Sequence, residues 1–252
     1  MPLLQLLCFP PAGAGPSLYH PWIQRHRDWL DIYAVPIPGR EMRMAEPLPR
    51  SLEALADMLA DELAPRANGR YAMFGYSMGA VLAYEVARRW AHRGLPAPEM
   101  VFILSCNPPD RLLAAEDAIH ALPEAAFWQT ILDLGGTPKE LLDFPEARVL
   151  FEEILRNDFR ICETYEHHAD GVPLNCPAHA FVADGDTLVN GETASGWRAF
   201  FSGPFRVHAL RGSHMLEKAP FAALLDSILS LWPDQAGGAP RPLRLVRRAQ
   251  GH

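Results

Sequence analysis

Ser77 sits in Gly75-Tyr76-Ser77-Met78-Gly79, and no other residue of this chain is so well placed to do chemistry. The pentapeptide separates a strand-like run, Tyr71 to Phe74, from a helix-like run, Ala80 to Trp90. A serine on a sharp strand-to-helix turn exposes its hydroxyl, and glycines two residues either side let the backbones approach closely. The bare pattern is common, but this setting makes it a nucleophile elbow. The chemistry expected is acyl transfer to water or another nucleophile.

A serine hydroxyl is a poor nucleophile until a histidine takes its proton and a carboxylate orients that histidine. With this kind of elbow the chain order is serine, acid, histidine, each on a loop after a strand. His214 meets that requirement, lying in Arg211-Gly212-Ser213-His214 between a strand ending at Leu210 and the last helix. Its bland alternative is a histidine that caps that helix. His208 falls within a strand, and His167 and His168 near the end of a helix. For the acid, Phe181-Val182-Ala183-Asp184-Gly185-Asp186 offers two candidates, Asp184 at the strand end and Asp186 beyond the Gly185 turn. The oxyanion of an acyl-transfer intermediate needs two backbone donors: the N–H of Met78 and one from the loop after an earlier strand. That loop is Phe9 to Gly15, where Pro10 and Pro11 have no N–H, so Ala12 carries the first amide available. A dinucleotide loop at Gly13 and Gly15 is excluded, because position 18 is leucine and no acidic residue closes the next strand.

Short apolar runs alternating with helical patterns position these residues and predict an α/β fold with a mostly parallel sheet. Strands are expected at Leu3 to Cys8, Ile32 to Pro36, Tyr71 to Phe74, Met100 to Leu104, His179 to Ala183 and Arg206 to Leu210. Leu52, Leu55, Leu59 and Leu63 mark one face of a helix capped by Ser51 and ended by Pro65, and Gly94 stops the helix after the elbow. From about 107 to 175 no strand is evident. The longest helix there begins near Pro145 and carries Phe151, Leu155, Phe159 and Cys162. Such an insertion is expected to form an all-helical lid on a core of residues 1–106 and 176–233. Further helices are expected near Thr193 to Phe200 and from about Leu216 to Trp232. Residues 234–252, rich in Gly, Pro and Arg, read as a disordered basic tail.

The chain has 252 residues, 49% of them hydrophobic, enough for a sizeable core. Its net charge of −7 gives no reason to expect nucleic-acid binding, and no apolar run approaches a membrane span. Without a signal peptide, and with Cys8, Cys106, Cys162 and Cys176 at spacings unlike a metal or disulfide motif, it reads as cytoplasmic with reduced thiols. A monomer is the default, since no self-complementary apolar face stands out.

Taken together the chain resembles the type II thioesterases that accompany polyketide and non-ribosomal peptide synthetases, within the α/β-hydrolase superfamily. The resemblance runs from Leu6 to about Trp232. It rests on Cys8-Phe9-Pro10-Pro11-Ala12-Gly13-Ala14-Gly15, similar to the family's N-terminal loop, and on Pro38-Gly39-Arg40-Glu41-Met42-Arg43, its most specific segment. The elbow through Ala80, Leu155 to Phe159, Glu163 to Tyr165 and Leu174 to Pro177 add to it. Val189 registers Asp186 with the family's acid, so the resemblance implies a Ser77–His214–Asp186 triad. Ala14 and Ala183 depart from the family by replacing glycines. Arg40 and Glu41 read first as a structural ion pair behind the site. The activity implied is hydrolysis of acyl-phosphopantetheine thioesters on acyl or peptidyl carrier proteins, removing aberrant acyl groups without metal or cofactor. A chain that opens on its first strand argues for a free-standing enzyme over a terminal, product-releasing thioesterase. Other rivals are a carboxylesterase or lipase and a catalytically dead binding module.

Overall fold

A computed structural model describes residues 4–25, 29–112, 118–137, 139–168 and 172–232. The apolar runs become six strands: β1 (Leu4–Phe9), β2 (Leu30–Ala34), β3 (Tyr71–Tyr76), β4 (Val101–Leu104), β5 (Ala178–Ala183) and β6 (Phe205–Leu210). They form one sheet in the order β2-β1-β3-β4-β5-β6, and every pairing is parallel. Parallel neighbours need crossovers, and the helices supply them: α1 (His20–Arg25), α2 (Leu52–Leu63), α3 (Met78–His92), α4 (Glu124–Leu134), α5 (Pro145–Glu163), α6 (Gly191–Ser195) and α7 (Lys218–Leu231). This is the expected α/β-hydrolase architecture.

Because side chains alternate along a strand, the central strands feed two cores at once. Leu7, Phe9, Tyr71 and Met73 pack with α2 and α3 on one face. Leu6, Cys8, Ala72 and Phe74 pack on the other with Trp22 of α1 and Phe221, Leu225 and Ile228 of α7. Trp22 stacks on Phe221 at 4.6 Å between ring centroids and donates its indole N–H to the Phe221 carbonyl at 2.9 Å. That burial holds α1, which is too short for its periodicity to show in the sequence.

Local signals set the helix ends. Ser51 accepts the Ala54 N–H at 3.1 Å, an N-cap worth about 1 kcal/mol. Gly94, at φ 72, turns the chain out of α3, and the Leu95 N–H returns to the Trp90 carbonyl at 2.9 Å. Asn190 and Thr193 form a reciprocal capping box on α6, which tightens into a 3₁₀ turn over Gly196–Phe200. The second strand lies earlier than Ile32 to Pro36, because pairing with β1 starts at Leu4 opposite Leu30. The last helix starts two residues after Leu216, with Glu217 as its N-cap.

Between β4 and β5 the described residues form helices α4 and α5 and 3₁₀ turns, with no strand. Phe127, Trp128, Ile131 and Leu134 of α4 meet Leu155 and Phe159 of α5 in a third apolar cluster. The basic tail predicted at 234–252 lies outside the described residues. Among the described residues no helix is long and apolar enough to cross a membrane, and all four cysteines are free thiols.

Among the described glycines the tightest approach is at the elbow. A Cβ on Gly79 would lie 2.1 Å from the carbonyl oxygen of Phe9, which is backbone and cannot move aside. Gly79→Ala is expected to lower stability by about 3 kcal/mol, read as a reduced urea midpoint. An unchanged midpoint would show that the α3–β1 contact has slack.

Candidate active site

β3 delivers the chain into Ser77 and α3 carries it away, so one residue must reverse direction. Ser77 does so at φ 49, ψ −119, a left-handed backbone that aims its side chain off the carboxyl edge of the sheet. Its N–H donates to the Leu104 carbonyl at 2.8 Å, and its carbonyl accepts the Ala80 N–H at 2.8 Å. The turn is thereby fixed from both sides.

The structure brings the three predicted side chains together. Ser77 Oγ lies 3.0 Å from His214 Nε2. His214 Nδ1 lies 3.0 Å from both Asp186 Oδ1 and Oδ2. An ionised carboxylate only accepts, so Nδ1–H donates to Asp186, and Nε2 is left to accept from the serine hydroxyl. The Asp186 side chain is fully buried. Burial alone would raise its pKa, but the hydrogen bond and charge of His214, the Leu188 N–H and the Ser105 hydroxyl hold it below the ordinary value. Oδ1 also accepts the Leu188 and Val189 N–H groups, at 2.9 and 3.1 Å. Asp184, the other candidate, is exposed and accepts the Gly212 N–H at 3.1 Å. It holds the histidine loop and does not touch the imidazole.

The loops after β5 and β6 are clamped together, with the Gly185 N–H on the Gly212 carbonyl at 2.8 Å. Tyr76, the residue before Ser77, accepts the Leu216 N–H at 2.6 Å and donates to the His214 carbonyl at 2.9 Å. It fixes the backbone on either side of Met215, directly after His214. Nothing in the sequence marks it beyond its place inside the pentapeptide. The Met215 N–H also donates to the Leu134 carbonyl at the end of α4, at 3.1 Å.

Two amides of the loop after β1 are already engaged. Gly13 N–H donates to Asp158 Oδ2 at 2.8 Å and Ala14 N–H to the Pro11 carbonyl at 3.1 Å. Among the described residues the Ala12 N–H has no acceptor. The Met78 N–H opens α3 and so has no acceptor within the helix. Ala12, Ser77 and Met78 all line one cleft.

Arg40 and Glu41 do not pair with each other. Arg40 makes a bidentate ion pair with Asp158 of α5, 118 residues away, at 2.6 and 2.8 Å, with both groups buried. Glu41, held at φ 47, accepts the Ser17 hydroxyl at 2.6 Å and the Ser17 N–H through both oxygens. Neighbours in sequence point apart here, because the extended Arg40 precedes the left-handed Glu41. The Arg40–Asp158 pair ties α5 to the loop that carries Ala12.

An open cleft of about 420 Å³ runs from Ser77 past Asn107, Leu112, Cys162, Leu188 and Val189. A second of about 560 Å³ runs past Ile131, Leu134, Gly136, Thr137, Phe151 and Leu155. Both pass Ala12, Ser77, Phe159 and His214, so an extended, largely apolar molecule could cross Ser77. Cys106 and Cys162 face the first cleft, and burial pushes both thiols well above their ordinary pKa, which keeps them protonated.

Residues 4–231 match the thioesterase domain family. This chain belongs to that family, and it is a hydrolase acting on thioesters. Among the relatives of this thioesterase, the gramicidin S biosynthesis protein GrsT of Aneurinibacillus migulanus is 31% identical, covering 84% of this chain and 82% of its own. RedJ, a thioesterase from the prodiginine biosynthetic pathway in Streptomyces coelicolor, superposes with a TM-score of 0.81 at 36% identity, covering 89% of this chain and 84% of its own. BorB, a type II thioesterase from the borrelidin biosynthetic cluster, superposes at 0.79 with 32% identity and 90% of each chain covered.

Removing one partner of a buried ion pair strands the other charge. Arg40→Met is expected to cost about 3–5 kcal/mol in denaturant unfolding. Arg40→Met with Asp158→Leu should cost less than Arg40→Met alone, and equal losses would show that the stranded carboxylate is not the cause.

Proposed function

We propose that this thioesterase hydrolyses acyl-S-phosphopantetheine thioesters on acyl or peptidyl carrier proteins, clearing aberrant acyl groups, with Ser77, His214 and Asp186 as its catalytic triad. The observation that carries the reading is the unbroken relay from Ser77 Oγ to His214 Nε2 at 3.0 Å and from His214 Nδ1 to Asp186 at 3.0 Å. The biosynthetic settings of GrsT, RedJ and BorB support a carrier-bound thioester as substrate.

His214 Nε2 takes the hydroxyl proton as Ser77 Oγ bonds to the thioester carbonyl carbon. Charge moves to the carbonyl oxygen, where the Met78 and Ala12 amides receive it. Each such donor is worth about 10²–10³ in rate. As the tetrahedral intermediate collapses, the carbon–sulfur bond breaks and the imidazolium returns its proton to the departing pantetheine sulfur. An acyl-Ser77 ester remains. His214 then deprotonates a water, which attacks this ester, and the carboxylic acid leaves as Ser77 regains its proton. Asp186, held ionised, keeps Nδ1 protonated and steadies the imidazolium in both halves. The thioester is activated enough for this sequence to need no metal or cofactor. Helices α4 and α5, within an insertion of about 107–175, act as the lid whose inner face shapes the acyl site.

Ser77→Ala and His214→Ala are expected to abolish turnover of a carrier-bound thioester with folding intact by circular dichroism. Asp186→Asn should cost on the order of 10⁴ in kcat. A greater loss at Asp184→Asn would move the acid to that position. On matched acyl groups, kcat/KM for the carrier thioester is expected to exceed that for a nitrophenyl ester, and the reverse order would make this an oxygen-ester hydrolase. A folded protein whose Ser77 does not react with a fluorophosphonate would be a binding module.

A further inference from the structure

Two serines stand at adjacent strand ends with left-handed backbones: Ser77 after β3 at φ 49, and Ser105 after β4 at φ 47. A residue with a Cβ costs roughly 1–2 kcal/mol in this conformation, which glycine adopts freely. Strain of this kind persists where the surroundings over-determine it, and it clusters at functional sites. Ser105 is held from both sides. Its N–H donates to the Phe181 carbonyl of β5 at 2.9 Å, while the carbonyl of Leu104 before it receives the Ser77 N–H.

This geometry puts a hydroxyl where glycine would put nothing. Ser105 is 1% exposed, and it lines the cleft shared by Ser77 and His214. Its buried Oγ meets no partner at strict hydrogen-bond geometry among the described residues. Ser105 follows β4, which pairs with β5, the strand that leads to Asp186, and its hydroxyl helps hold that carboxylate below its ordinary pKa. Oδ1 of Asp186 already serves the Leu188 and Val189 amides, and both oxygens serve His214, leaving capacity for one more donor.

We propose that Ser105 is a positioning residue of the hydrolytic site, its hydroxyl donating to the Asp186 carboxylate and fixing that group for His214. The inference rests on the Ser77–His214–Asp186 reading. The hydroxyl also draws on the carboxylate's negative charge, so removing it leaves Asp186 holding the imidazolium more strongly. Losing the hydroxyl therefore slackens the acid's orientation and lets His214 keep its proton to higher pH.

The test compares Ser105→Ala and Ser105→Gly with the wild type on an acyl-pantetheine thioester, across pH. Both variants are expected to lose about tenfold in kcat, the size of one hydrogen bond to a charged group. KM should change little, and the acidic limb of kcat/KM should move to higher pH in both. Ser105→Gly relieves the backbone and should melt at or above Ser105→Ala. A merely structural role would instead make activity follow stability, with glycine restoring what alanine loses. That result, or a wild-type rate and pH profile in Ser105→Gly, overturns the proposal. Asp186→Asn, measured alongside, separates the two readings. If it is inactive while both Ser105 variants match the wild type, only the role of Ser105 falls. If it is fully active, the triad reading falls with it.

Discussion

The site depends on one steric constraint, the contact of α3 with the backbone of β1. Glycine at 79 lets the first turn of the helix settle against the Phe9 carbonyl, and glycine at 75 lets the same turn cross its own strand, where a Cβ would lie 2.3 Å from Ala80 Cα. Once that contact forms, the loop after β1 has only one place to run, alongside Ser77. The free amide of Ala12 and the hydroxyl of Ser77 are thus brought together by backbone packing that no side chain could replace. The parallel register then lines up the ends of β4, β5 and β6, and with them Ser105, Asp186 and His214.

Polar contacts refine what the sheet roughly positions. Each member of the relay has its backbone or carboxylate fixed by groups that do no chemistry: the Leu104 carbonyl for Ser77, Tyr76 for His214, the Leu188 and Val189 amides for Asp186. The helices over the site are attached by the buried Arg40–Asp158 pair, whose carboxylate also takes the Gly13 N–H. That shared acceptor takes up the loop amide next to Ala12.

Much of this was legible in the sequence because the signals are local. The elbow announces itself through glycine spacing, α2 through a leucine face and Ser51, and α5 through Pro145 and its apolar stripe. His214 could be picked from ten histidines by its loop after a late strand. Asp184 and Asp186 could not be separated that way, since both follow β5, and the difference lies in which one meets the Gly212 amide. What stayed hidden is non-local. Asp158 finds Arg40 across 118 residues, Tyr76 reaches the backbone of His214 and Leu216, and Ser105 owes its interest to a dihedral angle. Sequence adjacency even misled, since Arg40 and Glu41 read as partners and turn to opposite neighbours.

The hydrogen bond from the Met215 amide to the Leu134 carbonyl makes α4 and the His214 loop mechanically continuous. Ile131 and Leu134 form part of the wall against which a bound chain would press. A guest bulky enough to push that wall outward pulls on the backbone one residue from the imidazole. A displacement of 1 Å in such an arrangement can cost about 10²-fold in rate. On the proposed triad, size discrimination built this way would act through turnover more than through affinity: an ill-fitting chain could still enter and stay, but it would disarm the group that cuts it loose.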